Sequence, residues 1–168
     1  PKAFIVWNIL GASKFQIGML DEAIEAYNKS ISLKPDYADA YSNMGVALQD
    51  QGKLDKAIEA YNKSISIKPN DADTYYNMGN ALKDQSKFDE AIEVYNKALS
   101  LNPNYAKAYS NMGNIFKDQG KLDEAIGVYN KALLLKPDYA EAYNNLGIAL
   151  KDQGKLDEAI DVYNKALS

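Results

Sequence analysis

The chain of 168 residues has no cysteine, no histidine and no arginine, and each absence excludes a class of function. Without cysteine there is no disulfide, no thiolate nucleophile and no zinc–thiolate site, and without histidine the commonest metal ligand is missing. All 19 basic residues are lysine against 23 acidic residues, so the net charge is −4 and the clustered positive field that nucleic acids require is absent. The sequence therefore predicts no metal, no cofactor and no nucleic-acid partner.

Long apolar segments are missing as well. No run approaches the roughly 18 residues that span a bilayer, and the N-terminus lacks the pattern of a signal peptide. The chain contains no Ser/His/Asp set and no glycine-rich phosphate loop, so we expect it not to be an enzyme. Because 46% of the residues are hydrophobic, the chain can fold, and we expect a soluble, cytoplasmic protein that does not bind membranes.

What the sequence does contain is a period of 34 residues. Proline and glycine each follow it, at Pro1, Pro35, Pro69, Pro103 and Pro137 and at Gly11, Gly45, Gly79, Gly113 and Gly147. A period of this length without insertions is typical of a repeat array, in which each unit is stabilised by its neighbours. We predict a single array with repeats at 4–37, 38–71, 72–105, 106–139 and 140–168, the last of them cut short.

Residues 38–71 show what each repeat forms. Apolar and small side chains recur at helical spacing up to about Gln51, and Asp36 is placed to cap the start of this first helix. Gly52 stands where a helix C-terminus needs positive φ, a second helix opens near Asp55, and the repeat closes at a proline that cannot continue a helix. Each repeat is therefore predicted to be a pair of short antiparallel helices.

Two small residues are predicted to bring the helices of a pair together. Gly45 and Ala57 lie at facing positions, so the backbones can approach closely while Tyr41 and Tyr61 fill the flanking volume. A pair this short cannot bury both of its apolar faces, so it must stack against neighbouring pairs. The predicted fold class is an all-α solenoid of five such pairs.

The recurring residues resemble the tetratricopeptide repeat (TPR). The pattern reads Trp7-x2-Leu10-Gly11, then Ala23-x3-Tyr27, then Pro35, with tyrosine at the Trp position in the four later repeats. The runs ADAYSNMGVALQDQGKLDKAI and AEAYNNLGIALKDQGKLDEAI are most similar to the repeats preceding the catalytic domain of O-linked N-acetylglucosamine transferases and to bacterial relatives. This resemblance implies a right-handed superhelix whose first helices line a concave groove. It also implies that the protein binds proteins or peptides.

One stripe on the first helix of each pair is not used by the predicted core, and we refer to it as the asparagine stripe. Its positions are spaced i, i+4, i+7 and i+11, and the second position is Asn43, Asn77, Asn111 or Asn145 in four successive repeats. The other candidate binding residues of the stripe are Asn80, Asn114, Asp39, Asp73, Lys107, Asp84, Asp118 and Asp152. A side-chain amide offers both a donor and an acceptor, so it can pair with any peptide backbone. The resemblance implies that matching asparagines of the transferase arrays hold bound peptide in this way.

Two interpretations of the stripe stay open. Near-identical repeats copy every residue, and asparagine is a harmless polar residue on a solvated helix face. Asparagine is nevertheless a mediocre helix former that costs about 0.5 kcal/mol relative to alanine, which favours ligand contact. In the first repeat the stripe reads Ile5, Ile9, Ala12 and Gln16 and is apolar, so it either grips a hydrophobic side chain or is covered by a further segment.

The resemblance also limits the function. Some members of the family bind the C-terminal carboxylate of chaperones with lysines one helical turn before asparagines at positions such as Asn80 and Asn114. Here Tyr76 and Ser110 stand in place of those lysines. We therefore favour a non-catalytic scaffold that binds peptide. The alternative is the substrate-recruiting arm of a larger, glycosyltransferase-like enzyme.

Both ends of the array are expected to expose apolar side chains. Pro1 occupies the place that closes a preceding repeat, and the chain stops at Ser168 before the proline that would close the fifth. The side chains expected to lack a covering repeat are Phe4, Val6 and Trp7 at one end and Ile160, Tyr163 and Leu167 at the other. Matching apolar ends predict weak head-to-tail self-association.

Overall fold

The computed structural model describes residues 2–167, so Pro1 and Ser168, with the predictions made for them, lie outside the described residues. Within that range the chain forms ten α-helices and no strand. The helices are α1 (Ala3–Gln16), α2 (Leu20–Leu33), α3 (Ala38–Asp50), α4 (Leu54–Ile67), α5 (Ala72–Asp84), α6 (Phe88–Leu101), α7 (Ala106–Asp118), α8 (Leu122–Leu135), α9 (Ala140–Asp152) and α10 (Leu156–Ala166). Not one of these described helices has the length and apolar character needed to cross a membrane.

The helices pack in consecutive pairs, which confirms the predicted all-α solenoid. The chain divides into two compact units, the first ending at Val94 and the second beginning at Tyr95. In the first unit α1 packs against α2 and α3 against α4, and α2 and α4 each contact the first helix of the next pair. In the second unit α7 packs against α8, α8 against α9, and α9 against α10. The first helices of successive pairs also touch within each unit, which places their outward faces side by side.

The start of α3 differs from the sequence-based expectation. Asp36 was expected to cap this helix, but the capping position is Tyr37 and no side chain in the described range caps the first amides. Asp36 is exposed in the preceding turn, which is closed by a hydrogen bond from the Tyr37 amide to the Lys34 carbonyl at 3.2 Å. The prediction was wrong because the proline turn needs one more residue before the backbone becomes helical.

The turns inside the pairs confirm the expectation for Gly52, whose φ is +72°. Gly18, Gly120 and Gly154 adopt the same left-handed conformation in other repeats, but the third repeat has Ser86 there, with φ +60°. A left-handed residue with a Cβ brings that atom close to the following carbonyl oxygen, which costs free energy that glycine does not incur. Ser86 is therefore a strained position in an otherwise regular array.

Replacing Ser86 with glycine should raise the free energy of unfolding by about 0.5–1 kcal/mol. The substitution relieves the strain of the left-handed serine, and the greater conformational entropy of glycine in the unfolded chain offsets part of that gain. Gly120→Ser makes the opposite change at the matching turn and should lower it by a similar amount. Urea unfolding followed by circular dichroism measures both. A Ser86→Gly variant no more stable than the parent would contradict the left-handed turn.

The helices of a pair meet where a tyrosine ring lies directly against a glycine. A Cβ atom added to Gly45 would lie 2.5 Å from Cε1 of Tyr61, and one added to Gly113 would lie 2.5 Å from Cε1 of Tyr129. Both rings are completely buried. We expected Gly45 to face Ala57 with the tyrosines at the sides, but the ring of Tyr61 itself occupies the space above the glycine. The glycine makes room for an aromatic ring, not for a second backbone.

Hydrogen bonds at one repeated position tie consecutive pairs together. Gln51 Nε2 donates to Asp21 Oδ1 at 2.8 Å, and Gln85 Nε2 donates to Asp55 Oδ1 at 2.7 Å. In the second unit Gln153 Nε2 donates to Asp123 Oδ1 at 2.6 Å. Each bond joins the end of a first helix to the start of the preceding second helix, and so fixes how neighbouring pairs stack.

The apolar side chains expected to be uncovered at the two ends are only partly so. Val6, Ile160 and Leu167 are exposed by 66%, 57% and 87%, and Trp7 is also exposed. Phe4 is half-buried because its ring meets that of Tyr37 edge to face, with centroids 4.9 Å apart. Tyr163 is half-buried because its ring lies against Gly147, as in the other pairs. Phe4 and Tyr163 were therefore predicted to be more open than they are.

Candidate peptide-binding stripe

The asparagine stripe of the first unit lies on α3 and α5. Asn43, Asn77 and Asn80 are half-buried there. The acidic members of the stripe in this unit, Asp39, Asp50, Asp73 and Asp84, are exposed. The amides are thus more enclosed than the carboxylates, which occupy the first and last positions of the stripe.

The second unit repeats this arrangement on α7 and α9. Asn111, Asn114 and Asn145 are half-buried. The charged members Lys107, Asp118, Glu141 and Asp152 are exposed. A ligand on either unit would meet amide groups flanked by mostly negative side chains.

A residue that sequence reasoning missed orients the first asparagine of the stripe. Asn43 Nδ2 donates to Asn8 Oδ1 at 3.1 Å, although the first repeat has Ile9 at the stripe position. Asn8 also lies near the side chain of Tyr37, whose pKa is raised mainly by burial and partly by the charge of Asp39, whereas the Asn8 amide lowers it. Because Asn8 lies 35 residues before Asn43, one more than the repeat period, the period alone does not reveal it.

In the second unit a buried tyrosine has the same orienting effect. Asn114 Oδ1 accepts hydrogen bonds from the Tyr129 hydroxyl at 2.7 Å and from Asn145 Nδ2 at 3.1 Å. Burial raises the pKa of Tyr129 strongly, and the charges of Asp118 and Glu141 raise it further. The phenol therefore stays protonated and donates at physiological pH, which fixes the carbonyl of Asn114 inward.

A parallel chain of hydrogen bonds reaches an acidic residue of the stripe in the first unit. The Tyr61 hydroxyl donates to Gln49 Oε1 at 3.1 Å, and Gln49 Nε2 donates to Asp84 Oδ2 at 2.8 Å. Burial, with the nearby charges of Asp50 and Asp84, raises the pKa of Tyr61 well above its usual range. Asp84 is thus held at the surface by a side chain from the preceding pair.

Hydrogen-bonding capacity remains on the stripe after these contacts are counted. Within residues 2–167, Oδ1 of Asn43 and Oδ1 of Asn145 accept no hydrogen bond, and the side chain of Asn77 makes none. Amide groups of this kind can each offer an acceptor and an N–H to a peptide backbone. Over the same range no three Asp or Glu side chains come together as a metal site.

The stripe of the first repeat is apolar in the structure as in the sequence. Ile9 is exposed by 59%, whereas Ile5 and Ala12 are half-buried. Beside them Lys14 forms an ion pair with Glu22, which joins α1 to α2. This end of the stripe offers an apolar contact instead of hydrogen bonds.

Helix pairs that repeat every 34 residues and turn at left-handed glycines define a helical-repeat protein of the solenoid class. A family profile described as "TPR repeat" matches residues 11–52, 47–86, 79–120 and 113–154, and one described as "Tetratricopeptide repeat" matches residues 142–168. The chain belongs to the tetratricopeptide repeat family.

Solved structures with this fold include a MamA crystal structure, which is 32% identical, has a TM-score of 0.85 and is matched over 94% of this chain and 92% of that one. Pseudomonas aeruginosa PilF is 21% identical with a TM-score of 0.87, over 98% of this chain and 76% of that one. YrrB, described as a TPR protein with an unusual peptide-binding site, is 22% identical with a TM-score of 0.75, over 96% and 83%. At these identities PilF and YrrB show the fold alone.

A curated relative matches a shorter stretch. The peroxisomal targeting signal receptor of Candida albicans is 43% identical over 47 residues, which is 28% of this chain and 8% of the receptor. The matched stretch is thus under a tenth of that protein, and the likeness concerns the repeats.

Proposed function

We propose that this chain is a non-catalytic scaffold that holds an extended peptide of a partner protein along the asparagine stripe. The observation that carries the proposal is the orientation of the amides. Asn43 and Asn145 are each fixed by one hydrogen bond to the preceding pair, while their carbonyl oxygens accept none in the described residues. Groups held in place before binding lose little side-chain entropy when a ligand arrives.

The charges of the stripe favour a peptide with basic side chains. Five aspartates, Asp39, Asp73, Asp84, Asp118 and Asp152, stand against Lys107 as the single basic candidate. Some of this charge is compensated nearby. Lys68 lies 3.6 Å from Asp39, Lys83 lies 3.6 Å from Asp84, and Lys151 lies 3.9 Å from Asp152. Lysine or arginine side chains of the ligand would be attracted to this net negative surface, and binding would weaken as salt is added.

The relatives support a binding role. YrrB carries a peptide-binding site on the same fold, and the peroxisomal protein is a receptor for a targeting signal. The likeness to the repeats of O-linked N-acetylglucosamine transferases stays a prediction, and with it the alternative that this chain recruits substrates for a larger enzyme. The repeat boundaries and the cytoplasmic location also stay predictions.

Weak head-to-tail self-association is a second expectation for this chain. Val6 and Trp7 on α1 and Ile160 on α10, with Leu167 just after it, are exposed apolar side chains. Contact between such unlike faces is heterologous and need not close into a ring. The half-burial of Phe4 and Tyr163 reduces the apolar area available, so the association should be weak.

Replacing Asn43, Asn77, Asn111 and Asn145 together with alanine should weaken peptide binding on the order of 10²-fold or more, since each lost hydrogen bond is worth about 0.5–1.5 kcal/mol. Peptides selected from a random phage library against the parent chain serve as ligands for calorimetry. The midpoint of thermal unfolding should fall only slightly, because alanine's helix propensity offsets part of the lost bonds to Asn8 and Asn114.

The chain offers a matched control with the same residue type and spacing. Asn62, Asn96, Asn130 and Asn164 recur on the second helices and are exposed. Their joint replacement with alanine should leave peptide affinity unchanged. Equal losses in the two quadruple variants, or no loss in the first, would refute binding along the stripe.

A further inference from the structure

A groove in the first unit lies on the side of α3 opposite to the asparagine stripe. Its volume is about 450 Å³, and it is bounded by α2 on one side and α4 on the other. The floor from α3 consists of Tyr41, Met44 and Leu48, which helical geometry places across the helix axis from Asp39 and Asn43. This surface is therefore separate from the stripe, and we refer to it as the lysine groove.

Three lysines give the groove its name. Lys53 lies just before α4, and Lys56 and Lys63 follow on the same face of the helix. In residues 2–167 no carboxylate comes within 4.0 Å of these ammonium groups. Asp21 and Glu59 also line the groove, so its charge is positive by one in a chain that is acidic overall.

The groove is where the array departs from its own pattern. Lys56 occupies a position that is glutamate in every other repeat, as Glu22, Glu90, Glu124 and Glu158. One turn further, Ala60, like Ala26 in the first repeat, occupies a position that is valine in the last three repeats, as Val94, Val128 and Val162. The first change reverses a charge on the rim, and the second removes apolar volume from the wall.

The shape of the groove favours a helical ligand. Its walls are helices, whose backbone groups are already hydrogen-bonded, so an extended peptide would find no strand edge and, unlike on the stripe, only one side-chain amide, that of Asn28. A helix satisfies its own backbone and can lay one apolar face between two others. From Lys53 to Lys63 the rim rises about 15 Å along α4, roughly three turns, which matches carboxylates spaced one turn apart on a bound helix.

We propose that the lysine groove docks an acidic amphipathic helix of a partner protein. An apolar face of that helix rests on Tyr41 and Met44, above the buried side chain of Leu48. Its carboxylates pair with Lys53, Lys56 and Lys63. The interaction is independent of the asparagine stripe, whose aspartates select the opposite charge.

The probe is a short alanine-based helical peptide, acetylated at its N-terminus and amidated at its C-terminus. It carries a Phe–Leu pair one turn apart, with glutamates on both sides of that pair. Fluorescence anisotropy should show binding to the parent chain that weakens with added salt. Lys56→Glu, which restores the residue of the other repeats, should weaken binding about fivefold or more because an attraction becomes a repulsion. Ala60→Val should weaken it without any change of charge, and the array tolerates valine at that position in three repeats.

Lys121→Glu is the matched control, since it makes the same change of charge at the exposed position equivalent to Lys53 in the second unit. It should leave binding of the helical probe unchanged, as should the quadruple asparagine variant. Absence of binding to the parent chain, or equal losses in Lys56→Glu and Lys121→Glu, would overturn the proposal. Either result would leave peptide binding on the stripe untouched, because that is measured with different ligands and variants.

Discussion

Gly113→Ala should lower the free energy of unfolding by about 2–3 kcal/mol, a large share of the stability of a small protein. The added Cβ would lie 2.5 Å from the ring of Tyr129, which is completely buried and cannot move aside. Relief would need the two helices of the pair to separate, and that would also stretch the hydrogen bond from Tyr129 to Asn114. The gain in helix propensity from glycine to alanine, about 1 kcal/mol, offsets part of this cost.

Gly127 provides the control within the same helix pair. It is exposed on α8, and nothing lies within 4 Å of the Cβ that alanine would add. Gly127→Ala should therefore raise the free energy of unfolding by about 0.5–1 kcal/mol, since a glycine inside a helix is costly. Urea unfolding of the two variants should move the midpoint in opposite directions. Movement in the same direction would contradict the packing of tyrosine on glycine.

Deleting residues 38–71, one whole period, should leave a folded protein with a lower denaturation midpoint. The deletion joins Tyr37 to Ala72, so α2 meets α5 at the positions where it met α3. Gln85 then stands where Gln51 donates its hydrogen bond to Asp21. The shortened chain loses one stacking interface but creates no unlike contact.

Deleting residues 38–51 should instead abolish the cooperative unfolding transition of the first unit. This deletion removes α3 and leaves α4 without the helix that buries Tyr61. The second helices of two repeats would be forced together, with no glycine to receive the tyrosine ring. Circular dichroism during thermal unfolding distinguishes the two deletions, and an equal loss of stability from both would contradict modular stacking.

The fold could be predicted from the sequence because the residues that end helices and form turns recur every 34 residues. From Pro35 onward each proline follows the end of a helix, and each left-handed glycine turns the chain, so helix boundaries fall within a residue or two of the expected positions. The errors lie where the outcome depends on three-dimensional contact. Tyr61 reaches over Gly45, which spacing along one helix cannot show, and Asp36 misses the helix start by one residue.

The candidate site was predictable only in part, for a related reason. The period aligned Asn43 with its counterparts, but it hid Asn8, whose partner lies 35 residues away. The period also reveals the residues that the repeats share, and not the residues by which one repeat differs from the others. Lys56 differs from the glutamate of every other repeat, and Ala60 differs from the valine of the last three. Only the groove between α2 and α4 shows that these two positions face the same space.

The most direct measurement of peptide binding on the stripe is a nuclear magnetic resonance titration of the chain labelled with ¹⁵N at asparagine side chains. Peptide selected against the parent chain would be added, and each Nδ2 resonance assigned through single Asn→Ala variants. We expect Asn43, Asn77, Asn111 and Asn145 to shift as peptide saturates the chain, while Asn62, Asn96, Asn130 and Asn164 stay fixed. Shifts confined to the second set, with the first unmoved at saturation, would contradict the proposed function.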